Sequence, residues 1–347
     1  MGRNKSNFVD LCQGDFGRKT AYTGVAQITT ENVIQVLSDT IGTHNRNRMM
    51  INYLYRYYKG DQPILYREKL VRPEVNNRVV ENHALEVVKF KAGQIYGEPI
   101  QYVCKKKKAD KKINEQVDLL NDYLDEANAD ARNIQLGIYQ SAVGTAYKAI
   151  LREDDWTKDS DLPPFRIFIP YPGDVYIVYS KNTGKAMLSV QILKDEENQQ
   201  YYLCYSSNQY FKVKNGQVTV SGINGFDGIP IIEYPNNHDR LSDVEIAITA
   251  FDAINKYQSD RLNGVEQFVQ AFMKFKNCEI DENEFLKMVK LGAISVKDAG
   301  NGVQSDVDLM TAELNQSESQ VAKDDIYNNM LIVEAMPNRQ SNTGGDT

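Results

Sequence analysis

The chain has 347 residues, with 40 Lys and Arg against 47 Asp and Glu, a formal net charge of −7. At roughly 150 residues per domain the length suits two or three units, and 41% hydrophobic with 25% charged residues excludes wholesale disorder and fibrous repeats. An acidic total excludes a protein that coats nucleic acid electrostatically, because that binding needs clustered Lys and Arg. It does not exclude one that lets DNA slide past.

Residues 1–28 are polar and mixed in charge and are expected to form a loosely ordered arm. Thr29 or Thr30 can cap a helix carrying Val33, Val36 and Leu37. A second helix, Arg46 to Tyr58, is rich in tyrosine and stops at Lys59-Gly60, with Pro63 just beyond. A third runs from about Val79 to Tyr96, and Ile100 to Val103 alternates like a short strand. The lysine-rich run 105–112 is followed by helices near Asn114–Glu126 and Asp130–Val143. Seven short β-branched and aromatic segments come next, beginning at Ala146, Phe165, Val175, Ala186, Gln200, Gln209 and Gln217. Turn signals such as Asn182-Thr183-Gly184 and Asn215-Gly216 separate them, which predicts an antiparallel sheet.

Beyond Ile229-Pro230, Ser242-Asp243-Val244-Glu245 spells a capping box. Helical spacing then persists to Phe275, ~34 residues or roughly 50 Å at 1.5 Å per residue. Such length predicts a spanning or oligomeric role. A strand-helix-strand insert (Cys278–Ile280, Asp281–Leu291, Ala293–Lys297), a strand near Val307–Thr311 and a helix over Ser317–Glu334 complete the pattern. A polar stretch, Met336–Thr347, ends it.

Chemistry is sparse. Cys12, Cys104, Cys204 and Cys278 form no C-x-x-C pair, so neither a zinc ribbon nor a thioredoxin-type motif is readable; free thiols in a reducing cytoplasm are expected. No 7–15-residue apolar signal core and no window near 18 apolar residues appears, which predicts a soluble protein with no membrane partner. His44, His83 and His238 lack metal-ligand spacing, Gly14-Asp15-Phe16-Gly17 lacks the Lys-Ser/Thr of a phosphate loop, and no G-x-G-x-x-G occurs. No catalytic, cofactor or metal residues are predicted. Lys105, Lys106, Lys107 and Lys108 could contact phosphates or an acidic partner, or lie in a solvated loop. Tyr53, Tyr55, Tyr57 and Tyr58 could stack on bases or pack within the fold.

Three pieces in order resemble the opening of tailed-phage portal proteins of the siphophage type from Gram-positive hosts. They are Tyr57-Tyr58-Lys59-Gly60-Asp61-Gln62-Pro63-Ile64, Asn76-Asn77-Arg78-Val79-Val80-Glu81-Asn82, and Gly93 through Gly97-Glu98-Pro99-Ile100. There a YY-G-x-x-x-I helix end precedes NNR-V-N and a G-x-P-I turn. The later order also fits: an Ile-Pro strand, a long helix, a small insert, a second helix and a Pro-Asn loop. The resemblance implies an α+β, portal-type architecture. Residues 29–240 would be a wing containing an antiparallel β-rich region, 241–275 the first stem helix, and 276–313 a small αβ clip. Residues 314–335 would be the second stem helix and 336–347 the start of the tunnel loop. The family's further helix and crown do not follow, which reads as C-terminal truncation.

The function implied is a ring, commonly a dodecamer, at one capsid vertex. It would conduct double-stranded DNA in packaging and ejection. Implied partners are other copies of the chain, the terminase large subunit, a head-tail adaptor, the major capsid and scaffold proteins and, transiently, double-stranded DNA. The location would be the virion, and the host cytoplasm during assembly. A conduit must not hold phosphates tightly, so Asp243, Asp252 and Asp260, offset by Lys256 and Arg261, are expected to face the channel, together with Asn338 and Arg339. Asp281, Glu282, Glu284, Lys287 and Lys290 in the clip are the expected terminase-docking residues. ATP hydrolysis would belong to the motor and not to this chain. A nucleic-acid-processing enzyme or a monomeric binding or adaptor protein are the alternatives.

Overall fold

The computed structural model describes residues 16–70, 73–104, 111–153, 156–157, 162–226, 228–269, 272–276, 283, 306–310 and 316–338. The chain divides into two compact units. The first comprises Met1–Pro63, Val80–Asp252 and Asn329–Thr347, the second Ile64–Val79 and Ala253–Asn328.

In the first unit, strands β1 (Ala21–Thr23), β4 (Val175–Ser180), β5 (Ala186–Lys194), β6 (Gln200–Tyr205), β7 (Gln209–Lys214) and β8 (Gln217–Ile223) form one sheet, ordered β1-β4-β5-β6-β7-β8. The β4 to β8 run is an antiparallel meander. Asn215 at φ 52 and Gly216 at φ 73 supply the two positive-φ positions of the β7–β8 turn, which such a two-residue hairpin requires. A second sheet, β3-β2-β9, joins β2 (Thr145–Arg152), β3 (Phe165–Phe168) and β9 (Ile231–Pro235), all antiparallel.

The expected row of seven strands is thus split in two. β2 pairs with β9, distant in sequence, and a 3-10 turn at Pro172–Asp174 separates β3 from β4. Residues 21–23 also depart from a loose arm: β1 pairs in parallel with β4, through a segment too short to show a period. Ile100 to Val103 is not a strand. The backbone N–H and C=O of Tyr102 bond the Asn121 side chain, each at 3.0 Å, so a side chain satisfies what a ladder would have.

Helix α1 (Val33–Tyr58) is continuous over 26 residues where two helices were expected. Val33, Val36 and Leu37 on it pack with Tyr176, Val178, Leu188, Val190, Cys204, Phe211 and Val213 on one face of the larger sheet. On the other face Val175 and Ile177 meet Tyr147, Ala149 and Ile231 of the smaller sheet. β4 is therefore covered on both sides, which explains its unbroken Val-Tyr-Ile-Val-Tyr run. Leu136 of α4 (Ala129–Val143) packs with Ala146 and Ile169 beyond the smaller sheet. Helices α2 (His83–Tyr96) and α3 (Lys111–Glu126) complete this part, and α3 has no buried residue.

The long helix α5 spans Asp243–Val269, 27 residues. It stops short of the predicted Phe275, because Phe272–Lys276 forms β10, antiparallel to β11 (Asp306–Met310). Helix α6 covers Gln316–Val333.

Candidate functional site

The long helix contributes residues to both units, and its sequence explains what each part does. At its start the capping box forms as spelled: Val244 N–H donates to Ser242 Oγ at 3.0 Å, and Ser242 N–H to Glu245 Oε2 at 2.9 Å. The other oxygen of Glu245 takes Gly17 N–H at 3.3 Å and a buried ion pair from Arg18. Gly17, at φ +74, has the Asp239 carbonyl where a Cβ would stand, so only glycine lets the residue before Arg18 approach this closely. Burial raises the Glu245 pKa even with Arg18 beside it.

A second buried pair stands next to the first. Arg240 donates Nε and Nη2 to the two oxygens of Glu233 at 2.7 and 2.9 Å. Tyr179 and Thr145 hydroxyls add bonds of 2.6 and 2.8 Å. Burial alone would raise the Glu233 pKa, but Arg240 together with the Tyr179 and Thr145 hydroxyls outweighs it and holds the carboxyl below its ordinary value. Phe251 lies against Tyr57, whose hydroxyl donates to Asp252 Oδ1 at 2.8 Å.

In the second unit the helix presents a polar seam. Asn255, Ser259 and Asn263, spaced four apart, are all buried, and Ser259 and Asn263 receive the Asn77–Val79 backbone. Asn77 N–H donates to Asn263 Oδ1 at 2.7 Å, its side chain to Glu266 at 2.8 Å, and Val79 N–H to Ser259 Oγ at 3.0 Å. Arg67 clamps the segment from outside, bonding Asp260 and the Asn77 carbonyl at 2.7 and 2.8 Å. On another side Arg261 donates to Gln320 of α6, and Lys323 to Gln258 at 3.4 Å. Lys256, Tyr257, Asp260, Leu262, Val265 and Glu266 remain exposed.

The residues expected to face a channel therefore separate. Asp243 is 8% exposed, with its Oδ1 taken by Asn236 at 3.0 Å; Asp252 is half-buried on Tyr57. These two carboxylates are engaged inside the chain. Lys256 and Asp260 are exposed, and Arg261 and Asn338 are half-exposed. Arg339, Lys105, Lys106, Lys107, Lys108, Asp281, Glu282, Glu284, Lys287 and Lys290 lie outside the described residues. Tyr53 and Tyr57 are core, while Tyr55 and Tyr58 stack at 5.8 Å and meet Tyr139 and Tyr171. The tyrosines of α1 thus pack against protein. Sequence reasoning missed Arg67 and the Asn255, Ser259, Asn263 row, although small polar residues at i, i+4 and i+8 on a helix are a readable sign.

The fold has solved counterparts. A chain from the neck of an empty GTA particle computed with C6 symmetry superposes with a TM-score of 0.50 at 11% identity, over 85% of this chain and 71% of that one. A chain from the neck of a native GTA particle computed with C12 symmetry gives 0.44 at 12% identity, over 76% and 67%. No curated protein sequence matches the chain. The fold class is α+β, shared with a particle-neck protein. Residues 37–347 match the family described as phage portal protein, SPP1 Gp6-like, and the chain belongs to that family. It is a portal protein, a structural subunit of the ring at a capsid vertex.

Proposed function

We propose that the ring is a dodecamer that conducts double-stranded DNA during packaging and ejection, with the second unit forming its stem and docking side. The observation carrying this is the long helix in that unit. It bears Lys256 in the open and Asp260, which stays 47% exposed although Arg67 pairs with it, while Leu262 and Val265 are 43% exposed each. Mixed charge gives DNA only transient contacts, which suits a substrate that must keep moving. Exposed apolar residues beside it supply subunit contact, and a head-to-tail interface of this kind closes into a ring. Residues 29–240 act as the wing, 276–313 as the clip that docks the terminase and later the head-tail adaptor, and 336–347 as the start of the tunnel loop. Lys256, Asp260, Arg261, Asn338 and Arg339 are the channel residues on this reading. Asp243 and Asp252 serve packing instead. Assembly would begin in the host cytoplasm beside capsid and scaffold proteins.

Negative-stain imaging of the purified chain tests the proposal. Rings with a central hole are expected. The double substitution Leu262→Glu and Val265→Glu should abolish them while far-UV circular dichroism stays unchanged. Particles that are only monomeric without the substitutions, or rings that survive them, would overturn the assigned interface.

A further inference from the structure

Helix α6 ends in a built joint. Met336 N–H donates to the Leu331 carbonyl at 2.8 Å and Ala335 N–H to the Ile332 carbonyl at 3.0 Å, the paired bonds of a Schellman motif with Glu334 as the last cap residue. Ala335 stands at φ 51, where glycine is usual and where an L side chain persists only if its surroundings hold it. Those surroundings are Met330, Leu331, Glu334 and Met336, all buried. Lys91 of α2 donates Nζ to the Glu334 carbonyl oxygen and lies 3.8 Å from its Oε2. Among the described residues Oε1 is buried with no hydrogen-bond partner. Asp243, the first residue of α5, is the other charged group acting on Glu334.

We propose that Glu334 is a proton-operated lock on this joint, with Lys91 and Asp243 as its opposing bias. A neutral carboxyl is the less costly form here, since it brings no charge into the buried site and its unpartnered oxygen loses less than a carboxylate oxygen would. A carboxylate leaves a buried charge with an unsatisfied oxygen and a like charge nearby, which is costly. Burial first and Asp243 second push the Glu334 pKa up to about 7, against the pull of Lys91. Once the joint opens to water the group returns toward its ordinary value near 4.5. Because the closed form holds the proton more tightly, closure is favoured most below about 4.5. That advantage is lost as pH rises through about 7, then stays constant. The lock itself stands without the channel assignment. Any effect on translocation rests on reading residues 336–347 as the tunnel loop.

Hydrogen–deuterium exchange of the full chain, followed on peptides covering residues 330–338 and corrected for chemical exchange rates, tests the lock. Opening should be about a hundredfold more frequent at pH 8 than at pH 5, since each pKa unit is tenfold. Glu334→Gln should keep the joint closed at both pH values. Lys91→Met should move the midpoint up and Asp243→Asn should move it down, opposite shifts that a purely structural role would not give. Equal opening at pH 5 and 8 in the unsubstituted chain, or a pH dependence that survives Glu334→Gln, overturns the lock. If Glu334→Gln does not fold, the two opposite shifts decide, and their absence counts against it. Ring formation is read separately by imaging, so either proposal can fail alone.

Discussion

The two units are held together by different means. In the first, the hydrophobic clusters around β4 and the ion pairs Arg18–Glu245 and Arg240–Glu233 are withdrawn from water. In the second, the described contacts are mostly hydrogen bonds from one segment to the polar seam of α5, with an ion pair, Arg67–Asp260, whose carboxylate side is 47% exposed. Buried charge is strong only while paired, whereas exposed charge is screened. Exposed apolar side chains do not separate the two units, since Val103 and Ile223 of the first stand as open as Leu262, Val265 and Val321 of the second.

Three measurements would sharpen or break that contrast. The largest effect is expected from Arg240→Met, which strands the Glu233 carboxylate in a buried site. It should cost about 3–5 kcal/mol in urea unfolding, with much of the loss recovered in the double variant with Glu233→Gln. A smaller cost would mean that water reaches the pair.

Second is pH. Burial lowers the His44 pKa to about 4, with its Nε2 donating to the Gly173 carbonyl at 2.9 Å and its ring stacked on Tyr176. A lowered base binds its proton less tightly when folded. Its contribution is thus whole above about 6.5 and falls as pH drops toward 4, by about 1.4 kcal/mol per unit. The stability difference between the unsubstituted chain and His44→Gln should shrink across that window. A difference that stays flat would contradict a neutral, buried imidazole.

Smallest is Arg67→Ala, which should cost about 1 kcal/mol or less and mainly speed proteolysis or amide exchange over residues 73–79. A loss as large as that of Arg240→Met would erase the distinction between the units.

Much of the fold was legible because local patterning carried it. The β4–β8 meander followed from its turn residues, and the capping box at Ser242 fixed where the long helix begins. Other features were illegible for physical reasons. β1 is three residues long, so no period exists to detect. Residues 100–103 alternate like a strand, but their backbone found the Asn121 side chain first. Asp243 and Glu245 look like solvated helix charges in sequence, yet Asn236 and Arg18 draw them inward. Sequence could place carboxylates on a helix. It could not say which would be buried, because that depends on partners that only folding brings near, such as Arg18, 227 residues from Glu245.

Length, patterning and the ordered Tyr-Tyr-Lys-Gly, Asn-Asn-Arg and Gly-Glu-Pro-Ile pieces were enough to set the class of architecture and the family. Those signals are local, and each records a helix end, a turn or a docking segment. Tertiary structure alone decided which charges are buried inside the chain and which stay exposed to solvent. It also decided that Glu334 is a buried acid instead of one more exposed carboxylate at a helix end. The reason is the same in each case: the energy of a charge is set by the dielectric and partners around it, and only folding supplies those.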